Sequence, residues 1–109
     1  MNTKIIRVGF LAVALALSLF AQTARAETPF IIVASTSSTQ NSGLFDFLLP
    51  KFQRQSGIDV RVLAVGTGQA VRLARNGDAD ILFVHHKPSE EKFVADGFGV
   101  ARFDVMYNE

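Results

Sequence analysis

The sequence predicts an α/β fold: an open parallel sheet with helices on both faces. Two observations predict it. Short apolar, β-branched runs alternate with stretches of helical spacing, in the order strand, helix, strand, helix, strand, helix, and the connections between them are only a few residues long.

Phe30 to Ala34 (FIIVA) is fully apolar and rich in β-branched residues, which marks a buried strand. The cluster from Ser35 to Ser42 then reads as a polar loop. From Gly43 to Ser56, the apolar residues Leu44, Phe45, Leu48, Leu49 and Phe52 fall on one helical face, and Gly57 supplies the stop. Pro50 removes one backbone hydrogen bond, so a kink or a helix in two pieces is expected near Leu49. Asp59 to Val65 (DVRVLAV) makes the second strand. After Gly66-Thr67-Gly68, helical spacing resumes from Gln69 to Arg75 and Asn76-Gly77 closes it. Asp80 to Val84 (DILFV) is the third strand. Pro88-Ser89 opens a helix whose positively polarised first turn holds Glu90 and Glu91, and Gly97 ends it. Phe98 to Met106 is expected to begin a fourth strand, and Phe93, Phe98 and Phe103 are expected to pack the core.

Residues 1–26 stand apart from this pattern. Lys4 and Arg7 precede an apolar run from Val8 to Phe20, and Ala24-Arg25-Ala26 places small residues at both ends of a triplet. That is a secretory signal with cleavage expected before Glu27, which predicts a periplasmic protein. The apolar run is short for a bilayer span, which needs about 20 residues, so no stable membrane anchor is expected after cleavage. Removing the signal takes Lys4, Arg7 and Arg25 with it and moves the net charge from +1 to −2, since all ten acidic residues lie beyond Ala26. A faintly acidic chain gives no basis for a nucleic-acid partner. The absence of cysteine excludes disulfides, thiol nucleophiles, thiolate metal sites and a lipid-bearing N-terminal cysteine. About 83 residues remain after cleavage, a size that buries only about 60% of its unfolded surface.

In an open parallel sheet the loops after the strands share one edge with the helix N-termini, and ligands bind there. Ser35, Thr36, Ser37 and Ser38 open the first such loop, a run of uncharged hydroxyl side chains. Gly66, Thr67 and Gly68 form the second, where glycines let a ligand approach the backbone and the next helix offers unpaired N–H groups. If the first two strands are neighbours, these loops form a concave array of neutral donors, and a tetrahedral oxyanion is the natural guest. The plainer reading is that Ser and Thr cap helices and turns. Two such loops on one edge favour the anion site.

Other candidates carry less. His85-His86 follows the third strand, but adjacent residues rarely bind one metal together and no third ligand is evident, so no metal site is assigned. Asp78 and Asp80 suit capping or solvated positions. Gly66-Thr67-Gly68 lacks the lysine and spacing of a nucleotide-binding loop. No serine lies in a nucleophile elbow, and neither histidine has an identifiable serine partner, so no catalytic residue and no cofactor are expected.

Four blocks, STSSTQNSGLFDFLLPKF, VRVLAVGTGQAV, RNGDADILFVHH and EEKFVADGFGVARFDVMYN, occur in this order between about Pro29 and Asn108. In them the sequence resembles the tungstate- and molybdate-type periplasmic binding proteins of ABC importers, within the type-II solute-binding fold. The resemblance implies that Ser35, Thr36, Ser37 and Ser38 contact an oxyanion, that Thr67 adds a contact, and that Gly66 and Gly68 enable it. Family members more often carry threonine where Ser35 and Ser37 stand. The resemblance further implies a membrane permease as partner and two lobes that clamp the ligand between them. Residues 27–109 would then be a partial N-terminal lobe, with the second lobe and its basic residue absent from this stretch. Two other readings stand beside this one: a remnant that binds no ligand, with sheet edges left exposed, and a small secreted phosphate-ester hydrolase using the hydroxyl loop as its anion cradle.

Overall fold

The computed structural model describes residues 26–107. The signal read over 1–26 therefore lies, apart from Ala26, outside the described residues. The elements are β1 (Phe30–Thr36), α1 (Ser37–Asn41), α2 (Leu44–Ser56), β2 (Asp59–Val65), α3 (Thr67–Arg75), β3 (Ile81–Phe83) and α4 (Lys87–Ala95).

The three strands form one parallel sheet in the order β2-β1-β3. From β1 the chain steps to one side to make β2, then crosses over to make β3 on the other. Crossovers of a single hand put the two sets of connecting helices on opposite faces, so α1 and α2 lie on one and α3 on the other. β1 is the middle strand and the most buried: Val33, Ala34, Ser35 and Thr36 are all inaccessible or nearly so. Phe45 of α2 packs edge-on against Phe83 of β3, with ring centroids 5.5 Å apart. α3 rests on all three strands, with Ala70 fully buried in its contact face.

Two helix ends show why the turns fall where they do. At the end of α3, Gly77 takes φ 83°, its N–H bonds to Ala74 O at 3.2 Å, and Asp78 N bonds to Leu73 O at 2.9 Å. At the end of α4, Gly97 takes φ 85°, its N–H bonds to Val94 O, and Phe98 N bonds to Phe93 O at 3.1 Å. Both are Schellman closures that need a left-handed residue. The second carries the apolar contact expected of it, between the rings of Phe93 and Phe98 at 5.9 Å. Asp80 serves the sheet: its carboxylate accepts from Ile32 N and its own N–H donates to Ile32 O, both at 2.8 Å, extending the β1–β3 pairing.

Several expectations are corrected. β1 runs two residues further than its apolar stretch, because Ser35 and Thr36 are buried by side-chain bonds rather than by apolar character. The polar loop after it contains the short helix α1. α2 is one helix through Pro50, not two pieces. The Asp46 carbonyl that the proline cannot serve lies at an exposed residue, where water can meet it. Phe98–Met106 forms no strand among the described residues, since nothing there pairs with it. Phe103 is 80% exposed and Phe98 46% exposed, so neither packs the core; Phe98 instead closes α4 and lies beneath the Arg75 guanidinium.

Candidate functional site

The parallel register sets the geometry of the rim. Thr36 pairs with Val65 and Ser35 with Phe83, so all three strands end at one level and their following loops leave the same edge. The structure thus brings Thr36, Ser37, Ser38, Gly66, Thr67 and Gly68 to a single edge of the sheet.

The side chains differ in what they do there. Ser35 Oγ donates to Phe83 O at 2.6 Å and is fully buried, so its one proton ties β1 to β3. Thr36 is the N-cap of α1: its Oγ1 accepts from Thr39 N at 3.2 Å and lies 3.0 Å from Ser38 Oγ and 2.8 Å from Thr39 Oγ1. Ser37 and Ser38 begin α1 and are exposed. Across the rim, Gly66 is the N-cap of α3 with an extended backbone (φ −71°, ψ 155°) and no side-chain cap. Gly66 O accepts the first helical bond from Ala70 N at 2.9 Å. The N–H groups of Thr67, Gly68 and Gln69 precede that bond and are free to meet a ligand at the positive end of the helix dipole.

The model of the PBP superfamily domain matches residues 21–109. The chain belongs to the PBP superfamily. The tungstate-binding protein TupA of Peptoclostridium acidaminophilum is 56% identical over 79 residues, which take in 72% of this chain and 28% of that protein. A putative ABC transporter anion-binding protein of Haloferax volcanii is 44% identical over 82 residues, 75% of this chain and 24% of that protein. The solved structure of the tungstate ABC transporter from Geobacter sulfurreducens superposes with a TM-score of 0.71 at 54% identity, covering 73% of this chain and 34% of that one. The chain thus spans a quarter to a third of the length of these superfamily members.

Two features of this PBP-superfamily rim escaped the sequence reading. His85 Nε2 lies 3.1 Å from Ser38 Oγ, and His86 Nδ1 lies 2.7 Å from Ser89 Oγ, so both histidines do have serine partners. The sequence separation of 47 from Ser38 to His85 hides the first contact from any local pattern. Arg72, one turn into α3, lays its guanidinium back toward Gly68, where its Nη1 would stand 3.8 Å from a Cβ added to the glycine. The spacing of positions 68 and 72 was the available signal.

Two concavities lie elsewhere. One of about 400 Å³ runs between α2 and β2, lined by Phe45, Leu49, Gln53 and Val62 among others; another of about 510 Å³ adjoins Phe30, Asp59 and Arg61. Both are open grooves, and neither includes a rim residue. What distinguishes the rim is not volume but two sets of uncharged donors at one edge of the sheet.

Proposed function

We propose that this chain forms one wall of the oxyanion site in the extracytoplasmic solute-binding component of an ABC importer, with tungstate or molybdate as ligand. The supporting observation is the register that levels Thr36 with Val65, which puts two uncharged donor sets at one edge. Ser37, Ser38 and Thr67 offer hydroxyls, the buried Thr36 braces them as the cap of α1, and the first turn of α3 offers N–H groups beside Gly66 and Gly68. Ser35 holds the rim together from beneath through Phe83. The names of the tungstate-binding relatives support the choice of ligand. The signal read over 1–26 supports a periplasmic location, and a membrane permease would receive the cargo. The reading is one of binding rather than catalysis, and the transport and anion-binding names of the relatives support it.

Amide chemical shifts of the purified chain, followed while sodium tungstate, molybdate, sulfate or chloride is added, test this. Saturable, weak shifts at Thr36–Ser38 and Gly66–Gln69 with tungstate and molybdate are expected. Equal shifts with chloride, or none at these amides, would overturn the proposal.

A further inference from the structure

The strand order β2-β1-β3 changes direction at β1: the chain leaves β1 toward one side and leaves β3 on the other. In open α/β sheets the ligand crevice lies at this switch point, here between the ends of β1 and β3. Ser38 follows β1 and His85 follows β3, and their side chains meet across that crevice at 3.1 Å.

The contact ends a row of four groups: Thr39 Oγ1 is 2.8 Å from Thr36 Oγ1, which is 3.0 Å from Ser38 Oγ, which is 3.1 Å from His85 Nε2. Each hydroxyl has one proton and an oxyanion only accepts, so the direction of each bond decides what remains for the anion. If Ser38 donates to a bare Nε2, its proton is spent. If Nε2 carries the hydrogen, the ring donates to Ser38 Oγ; with Thr39 donating to Thr36 and Thr36 to Ser38, the serine proton turns outward.

We propose that His85 is a positioning residue of the oxyanion rim, whose Nε2–H donates to Ser38 Oγ and thereby aims the Ser38 proton at the anion. The inference rests on the rim taking an oxyanion, as proposed above. The turn carrying His85 is held for this task. The next residue, His86, donates its N–H to Glu90 Oε1 at 3.0 Å, and Glu90 Oε2 accepts from Arg102 Nε at 2.7 Å. His85 and Ser38 are both exposed, so an ion from solvent can reach them.

The test is a tungstate titration of the purified chain read by long-range proton–nitrogen correlation at the His85 ring, together with H85A and H85Q. The bound state should show hydrogen on Nε2. H85A should bind about tenfold more weakly, the loss of one charge-assisted hydrogen bond. H85Q, whose amide N–H can donate to Ser38, should stay within about threefold of the parent. A bare Nε2 in the bound state, or H85A binding as tightly as the parent while T36A and T67A lose the anion, would overturn the role of His85 and leave the rim standing. A parent chain with no saturable shift at Thr36, Ser38 and Thr67 would bring down both. The ring measurement needs no substitution, so it decides the matter even if H85A fails to fold.

Discussion

Two rim residues separate folding from binding. Ser35 works for the fold: its buried hydroxyl donates to Phe83 O at 2.6 Å, so Ser35→Ala leaves that carbonyl one partner short. A loss of about 1–2 kcal/mol in urea denaturation is expected, with weakened β1–β3 pairing. Gly66 is the converse. Its backbone is extended, as any residue allows, and nothing lies within 4 Å of a Cβ added there. Gly66→Ala should therefore leave the melting temperature unchanged or slightly raised. If the glycine exists to let an anion approach the first turn of α3, the same substitution should lower tungstate affinity; unchanged affinity in the titration would remove Gly66 from the site.

Among the elements, α2 offers the clearest test. Pro50 sits in its interior, takes one donor from the Asp46 carbonyl, and is exposed. A proline inside a helix costs about 3 kcal/mol relative to alanine, partly offset here by its place on the wall of the α2–β2 groove. Pro50→Ala should therefore stabilise the chain by at least about 1 kcal/mol, visible as a higher melting temperature; an unchanged or lower value would mean that the proline ring packs more tightly than its exposure indicates. The elements also show what was legible in the sequence. Strands and helices could be read wherever apolar residues repeat with a period, as in Phe30 to Ala34 or across Leu44, Phe45, Leu48 and Leu49. The last two residues of β1 could not, because Ser35 and Thr36 are polar and their burial depends on partners distant in sequence or on a cap. α1 was hidden for a related reason: Ser, Thr and Asn side chains compete with the helical backbone, and the five residues of α1 form a helix under the Thr36 cap. The rim was half legible. The sequence gives away its hydroxyl loop and its glycines, whereas the meeting of Ser38 and His85 depends on strand order, which no local pattern encodes.

At the scale of the whole molecule, the balance of buried and exposed apolar surface governs behaviour in solution. The apolar residues buried among the described ones are Val33, Ala34, Phe45 and Ala70, two of them alanines. Phe47 at 64% exposure, Phe103 at 80%, Val105 at 61% and Tyr107 at 88% face outward, and Leu48 and Phe52 continue the apolar side of α2 into solvent. Fully burying a large apolar side chain is worth about 1.5–3 kcal/mol, so this surface holds more unrealised stabilisation than the small core supplies. Exposed apolar area of this kind drives association. The net charge of −2 over residues 27–109 opposes it only weakly, and salt screens that repulsion further. Light scattering behind size exclusion should therefore show a mean mass that rises with protein concentration and with salt. Phe47→Ser with Phe103→Ser should return the mass toward the monomer without lowering the melting temperature, because neither ring belongs to the core. A monodisperse monomer at every concentration would show that these side chains satisfy one another in solution.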